Sequence, residues 1–352
     1  MQKSRRKLPA WYEARCILPP RAYEQASSEA AAALKPYAGG TCLDLTAGLG
    51  VDSWHFGRHF RSVTALEADP DLAAVTAWNL RRLGCEAVQV HAVSAERFLA
   101  SYHGPPFDLI YADPDRRTAG GARVHGLEDC SPDLPALLPR LCQLGKRLVF
   151  KLSPLFDLAE AARILPDLDR LAVLSVDGEV REVLAELAPG TAAGPPETAV
   201  WLHTPEGPRR FRIGPEAQPA AAPETQAAAY RYIAEPDAAF YKARGLASLL
   251  AGEYPGLAAV LNYPDGFAFC GEAPSGFPGR VFEVIEAVPY KPSALKALLR
   301  ARGIRALNVV QRHFPEGAAA IRQQLGAAEG GELFLICTLW QGKRWAYLAR
   351  RI

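Results

Sequence analysis

Residues 43–53 read L-D-L-T-A-G-L-G-V-D-S. Cys42, Leu43 and Leu45 form an apolar run that can be buried on both faces, as a central parallel strand requires. The run leads into Ala47-Gly48-Leu49-Gly50, where the missing Cβ atoms let the backbone turn tightly and approach a ligand closely. A helix is predicted from about Val51, with Val51, Trp54 and Phe56 on or near its apolar side. Strand, glycine turn and helix N-terminus together describe a nucleotide-type site at the carboxyl edge of a sheet.

The details narrow the ligand. A dinucleotide fingerprint needs G-x-G-x-x-G, and the third glycine position is here Ser53. Instead an acid, Asp44, stands four residues before Gly48. D-x-x-x-G-x-G resembles motif I of class I S-adenosylmethionine (SAM) methyltransferases, in which the turn meets a cofactor without phosphate. Glu67, at the end of the next predicted strand, is placed to accept hydrogen bonds from ribose hydroxyls; otherwise it is a surface acid at a strand end. Ser94 or Glu96, after the third strand, falls where related enzymes contact the adenine amino group. The fourth strand ends in Asp113-Pro114-Asp115-Arg116-Arg117, at the position of the [D/N]-P-P-[Y/F] motif of amino-group methyltransferases. There a carboxylate or amide and a carbonyl accept hydrogen bonds from the target amine and set it in line with the methyl group. Asp113 and Pro114 are kept. Asp115 replaces the second proline, and Arg116 the aromatic. The two arginines either grip phosphates or pair with Glu128 and Asp129 in a structural loop.

The 352 residues suffice for two domains, and a hydrophobic fraction of 49% with a mean hydropathy of -0.04 describes a soluble globular protein. No apolar run approaches the roughly 20 residues of a membrane span, and the basic start, Met1 to Lys7, is followed by no signal-peptide core. Seven scattered cysteines without a C-x-x-C pair fit reduced thiols in a cytoplasm better than a disulfide frame or zinc knuckle. His55 and His59 are spaced as on one helix face, with no third metal ligand in sight, so no metal is expected. The formal charge of +2 is uneven: residues 280–352 hold twelve Lys/Arg against five Glu, an excess of +7 that leaves −5 for the rest. That is the electrostatic footprint of a polyanion-binding module or an Arg-rich solvated surface.

Residues 8–40 read as helical, most clearly from Arg21 to Lys35. Strands and helices then alternate: strands at 41–46, 62–67, 86–91, 107–112, 146–152 and 170–176, with helices near 51, 70–83, 133–143 and 156–165. A hairpin at 198–203 and 209–213 closes the sheet with an antiparallel edge. Pro215 to Ala229 reads as a linker. Beyond it comes a helix near 236–250 and short strands around 258–270. A β-α-β-α-β-β series follows at 280–287, 292–302, 305–311, 316–325, 332–340 and 343–350.

Taken together, E-Q-A-S-S-E (24–29), D-L-T-A-G-L-G-V-D-S, D-P-D-R-R, L-E-D-C-S-P (127–132), K-L-S-P-L-F-D (151–157), P-G-R-V-F (278–282) and N-V-V-Q-R-H-F-P (308–315) resemble the bacterial class I SAM-dependent methyltransferases with a THUMP-like C-terminal domain. The resemblance runs from about Pro9 to Ile352. It implies an α/β chain in five parts: a helical segment (1–40), a Rossmann-like catalytic domain with a mostly parallel sheet (41–214), a linker (215–229), a ferredoxin-like segment (230–279) and a THUMP-like α+β module (280–352). By motif, Asp44, Thr46, Gly48, Gly50, Glu67 and Ser94 would bind SAM, and Asp113, Pro114, Asp115 and Arg116 would serve the acceptor. Gln25 and Ser28 either cap the methionine end of the cofactor or form an ordinary polar face. Asn308, Arg312, His313 and Phe314 either meet looped RNA by phosphate contact and stacking, or form a packed strand end. The implied activity is methylation of tRNA or rRNA, at a purine exocyclic amine, in the cytoplasm and away from membranes. Methylation of a protein or small molecule, and a non-catalytic RNA binder with a retained SAM pocket, are the alternatives.

Overall fold

The computed structural model describes residues 2–114, 130–191, 194–214, 227–255, 257 and 259–352, and divides into two compact units, Met1–Arg212 and Ile213–Ile352. Four short helices open the first unit: α1 (Gln2–Lys7), α2 (Pro9–Glu13), α3 (Pro20–Gln25) and α4 (Glu29–Ala33). The continuous helical region read from the sequence is therefore broken. Ala26 is extended at ψ 148°, and Ser28 restarts the helix by accepting the Ala31 N–H at 3.1 Å. Serines compete for backbone hydrogen bonds and favour such caps over helix interiors.

The alternation then appears with ends displaced by no more than about two residues. Its elements are β1 (Gly39–Asp44), α5 (Val51–Phe56), β2 (Phe60–Glu67), α6 (Pro70–Arg82), β3 (Val88–Ala92), α7 (Ala95–Ser101), β4 (Leu109–Ala112), α8 (Leu134–Leu144), β5 (Leu148–Leu152), α9 (Leu158–Ile164) and β6 (Leu168–Val176). β7 (Glu179–Leu187), β8 (Glu197–Thr204) and β9 (Gly207–Ile213) complete a nine-stranded sheet of order β3-β2-β1-β4-β5-β7-β6-β8-β9. β1 to β5 pair in parallel. The expected hairpin is the β8–β9 edge. β7, absent from the sequence reading, is inserted between β5 and β6 and runs antiparallel to both. The chain leaves β1 toward β2 on one side, and β4 continues on the other. This reversal opens a crevice at the carboxyl ends of β1 and β4.

Both sides of the glycine turn are anchored in apolar packing. Cys42, Phe56, Tyr111, Val149, Leu174 and Leu184 form the main core, while Leu49 and Val51 pack with Leu8, Trp11 and Ala32 of the N-terminal segment. Trp11 meets Trp54 edge-on at 4.8 Å, which ties α2 to α5.

The second unit holds β10 (Tyr232–Pro236), α10 (Ala238–Lys242), α11 (Leu246–Glu253), β11 (Ala259–Leu261), β12 (Ala268–Cys270), β13 (Gly279–Pro289), α12 (Pro292–Ala301), β14 (Asn308–Arg312), α13 (Ala318–Leu325), β15 (Leu333–Trp340) and β16 (Lys343–Arg351). The single helix expected near 236–250 is two, separated at Arg244 with φ 52°. The terminal β-α-β-α-β-β series is as read. Its strands share one seven-stranded sheet, β11-β12-β10-β13-β16-β15-β14, with those of residues 230–279. Side chains alternate along β15: Ile336 enters a cluster with Phe269, Phe282 and Tyr347, while Leu335 and Cys337 enter one with Leu295, Leu299 and Ile321 of α12 and α13.

Candidate functional site

A cleft of about 810 Å³ lies in the first unit at the carboxyl ends of β1, β2 and β4, lined among others by Thr46, Gly48, Gly50, Glu67, Ser94, Asp113 and Pro114. Its back wall is the turn after β1. Gly48 and Gly50 take positive φ, 53° and 88°, and a Cβ on Gly50 would stand 2.7 Å from the Thr76 methyl. The Gly48 N–H donates to Glu67 Oε2 at 2.9 Å, and the Gly48 carbonyl accepts from Thr76 Oγ1 at 2.6 Å. Glu67 Oε1 accepts the Asp69 N–H at 2.9 Å, so this carboxylate locks two turns while still facing the cleft. Thr46 Oγ1 accepts the Asp113 N–H at 2.6 Å, which fixes the end of β4 against the end of β1.

Asp44 lies beneath this surface, 1% exposed. Its carboxylate accepts the Thr46 N–H at 3.0 Å and the Ser53 hydroxyl at 2.5 Å. Burial, outweighing these two hydrogen bonds, lifts its pKa to about 7. Asp44 thus shapes the turn from below, and Ser53, where a dinucleotide site would have its third glycine, is its partner.

The floor of the cleft is charged. Lys35, with no exposed side-chain surface, contacts Asp52 Oδ1 at 2.5 Å and Glu182 Oε2 at 2.8 Å. Lys151 contacts Asp113 Oδ2 at 2.5 Å and lies 3.8 Å from Glu182 Oε1. Ser27 Oγ stands 2.9 Å from Asp52 Oδ2 and 2.8 Å from Glu182 Oε1, and accepts from Lys151 Nζ at 3.2 Å. Its single hydrogen serves one carboxylate at a time. Tyr111 donates to Asp52 Oδ2 at 3.0 Å. Two lysines therefore face three carboxylates. Burial resists the Asp52 charge, but Lys35 and Lys151 prevail and hold its pKa at about 2. For Asp113 burial prevails over Lys151, so its carboxyl sits above the usual range.

Comparison with solved structures places this architecture. A crystal structure described as a "putative methyltransferase" from Porphyromonas gingivalis W83 superposes with a TM-score of 0.84 at 27% identity, covering 99% of this chain and 88% of that one. Residues 279–351 match the THUMP domain-like family. This chain is a class I methyltransferase with a THUMP-like C-terminal domain. Two more distant structures each cover about half of this chain. They are a precorrin 8W decarboxylase from Methanobacterium thermoautotrophicum (17% identity, TM-score 0.35, covering 49% of this chain and 96% of that one) and a SAM-dependent methyltransferase from Agrobacterium tumefaciens (18%, 0.34, 46% and 59%). No curated protein matches the sequence.

In this methyltransferase the residues singled out from sequence separate by position. Thr46, Gly48, Gly50, Glu67, Ser94, Asp113 and Pro114 share the cleft, as do Gln25 and Glu96; Asp44 supports it from behind. Ser94 also caps α7, accepting the Arg97 N–H at 3.4 Å. Ser28 is the cap of α4 and does not line the cleft; its neighbour Ser27 does. Asp115, Arg116, Arg117, Glu128 and Asp129 lie outside the described residues. Ser27, Lys35, Asp52, Glu182 and Lys151 were not legible as site residues, although Lys151 offers a signal: a lysine closing an apolar strand next to the one that ends in Asp113. His55 is an ordinary buried histidine, its ring nitrogen on the Lys35 carbonyl at 2.9 Å and its pKa lowered to about 4 by burial. Among the described residues no cluster of metal-ligating side chains occurs, and no helix is long and apolar enough to cross a membrane.

In the second unit, Phe314 packs edge-on against Tyr290 at 4.8 Å in the helix-side core, as a packed strand end requires. Arg312 covers the Tyr241 ring at 3.3 Å, and Asn308 donates to the Gly331 carbonyl at 2.9 Å. His313, at φ 49°, stacks on Tyr263 at 4.3 Å and contacts Asp265 at 2.7 Å. The exposed cations of this unit without an ion pair among the described residues are Arg244, Lys291, Lys296, Arg300, Arg305, Lys343, Arg350 and Arg351.

Proposed function

We propose that the cleft binds S-adenosylmethionine and that the protein transfers its methyl group to structured RNA, tRNA or rRNA, with a purine exocyclic amine as acceptor. The observation that carries the reading is the convergence of the Gly48 turn, Glu67 and Asp113 on one 810 Å³ space at the sheet's switch point. Glu67 is placed for ribose hydroxyls, and Ser94 or Glu96 for the adenine. Charge supports a cationic ligand: the described lining includes six carboxylates (Asp52, Glu67, Asp69, Asp71, Glu96, Asp113) against three cations (Arg21, Lys151, Arg181). A sulfonium meets such a surface favourably and a pyrophosphate does not.

Methyl transfer is a displacement in which the carbon–sulfur bond breaks, sulfur keeps the electron pair and the acceptor nitrogen bonds the carbon. Asp113 and Pro114, at the end of β4, would orient the amine, with Asp113 or water taking its proton; Asp115 and Arg116 follow them in the sequence and would serve the same acceptor. RNA as acceptor is supported by the THUMP-like match over 279–351 and by the exposed unpaired cations of that unit. The seven free thiols support a reducing, cytoplasmic setting. Calorimetry should register binding of SAM and its demethylated product and none of NAD; NAD binding without SAM binding overturns the cofactor assignment. Mass spectrometry of nucleosides from total RNA, with and without the protein, tests the acceptor. An unchanged nucleoside profile counts against RNA.

A further inference from the structure

Lys151 and Asp113 stand at the carboxyl ends of neighbouring parallel strands, β5 and β4. The Lys151 Nζ reaches Asp113 Oδ2 at 2.5 Å with only 12% of its side chain exposed. We propose that Lys151 is a positioning residue that fixes the Asp113 carboxylate, in charge and in aim, at the floor of the cleft. This rests on the reading of Asp113 as the group that orients the acceptor.

The surroundings explain why a cation is needed there. The acids facing Asp113 are Asp52 from α5, Glu182 from β7 and Asp44 from β1, with the Tyr111 ring beside them. The other nearby buried lysine, Lys35, is already committed to Asp52 at 2.5 Å and Glu182 at 2.8 Å. Without Lys151, Asp113 would stand among like charges in a place where burial already favours its neutral form. A protonated carboxyl turns one acceptor into a donor and can no longer receive two amine hydrogens. The lysine is itself held on its far side by Ser27 Oγ at 3.2 Å and Glu182 Oε1 at 3.8 Å. Asp113, Glu182 and Asp52 keep it charged despite burial. An ammonium gripped from two directions gives the carboxylate one orientation, and misplacement of about an ångström is costly at a reacting centre.

The test uses the full chain as wild type, Lys151→Met, Lys151→Gln, Lys151→Arg and Asp113→Asn. Carbon-13 NMR of carboxyl-labelled aspartate, with Asp113→Asn identifying the resonance, follows the Asp113 titration. Tritiated SAM with total RNA from cells lacking the protein follows transfer against pH. The Asp113 resonance is expected to titrate at higher pH in Lys151→Met and Lys151→Gln than in wild type, and as wild type in Lys151→Arg. Transfer by the Met and Gln variants should fall at least about tenfold at neutral pH and recover as pH rises through the displaced titration, with SAM affinity within a few-fold. The Gln variant keeps a donor without the charge and serves if Lys151→Met does not fold. An Asp113 titration unmoved in both, or an unchanged pH profile, overturns the proposal. If wild type transfers no methyl, the proposed function is what fails, and the titration still decides the role of Lys151.

Discussion

Asp113, half-buried in the cleft lining, and Asp44, buried behind it, have different partners that predict different phenotypes. Asp113 lines the cleft and is read as orienting the acceptor. Its replacement by Ala should abolish methyl transfer while SAM affinity stays within a few-fold, because orientation acts on the transition state and not on cofactor binding. Turnover and calorimetry on the same preparation check this, and an active Asp113→Ala enzyme would remove the loop from the chemistry. Asp44 acts through stability. Its pKa is raised to about 7, so the folded state holds a proton that the unfolded chain releases from about pH 4 upward. The sign follows: the contribution of the neutral form is fully present below pH 4 and is lost as pH rises to about 7. Over that window wild type should lose on the order of 4 kcal/mol that Asp44→Asn, which cannot ionise, does not lose. Denaturant melts of both proteins between pH 4 and 8 would show it, and parallel stability curves would contradict it.

At the scale of elements, α4 separates two readings that the sequence left open. Ser28 caps the helix, so Ser28→Ala should cost about 0.5–2 kcal/mol of stability and leave SAM affinity unchanged. Gln25→Ala, which alters the cleft lining, should do the reverse. The turn, the parallel strands and the terminal β-α-β-α-β-β series were legible because short apolar runs, glycines and caps are local signals. β7 was not. Its sequence, E-V-R-E-V-L-A-E-L, combines glutamate, leucine and alanine, which favour helix, and only tertiary pairing with β5 and β6 makes it a strand. The same concealment hid the floor of the site. Glu182 looks like a solvated charge until β7 is inserted beside β5, where it comes within reach of Lys35, Ser27 and Lys151. Those partners lie between 31 and 155 residues away along the chain. No window of sequence contains that network, whereas the Gly48–Glu67 pair spans 19 residues and a motif can encode it.

For the whole molecule, charge and compactness divide the labour. The two units, Met1–Arg212 and Ile213–Ile352, have separate cores. The cleft lies wholly in the first, and the second carries the chain's positive excess. A chain ending near residue 214 should therefore fold and bind SAM with unchanged affinity, while its affinity for RNA drops sharply. Pairing sharpens the expectation. Arg302, Arg322 and Arg344 are ion-paired with Glu286, Glu329 and Glu316, and Arg280 with Glu235, so they are less able to meet phosphate. The exposed, unpaired Lys296 and Arg300, one turn apart on α12, are better placed. Reversing both to Glu should weaken RNA binding without disturbing SAM affinity or the melting temperature. Full-length binding should fall linearly on a double-logarithmic plot against salt, with a slope that counts the phosphates engaged, and the double variant should show a shallower slope. RNA binding by the truncated chain equal to that of the full protein, or a slope unchanged by Lys296→Glu with Arg300→Glu, would move the RNA interface off this unit or off this helix.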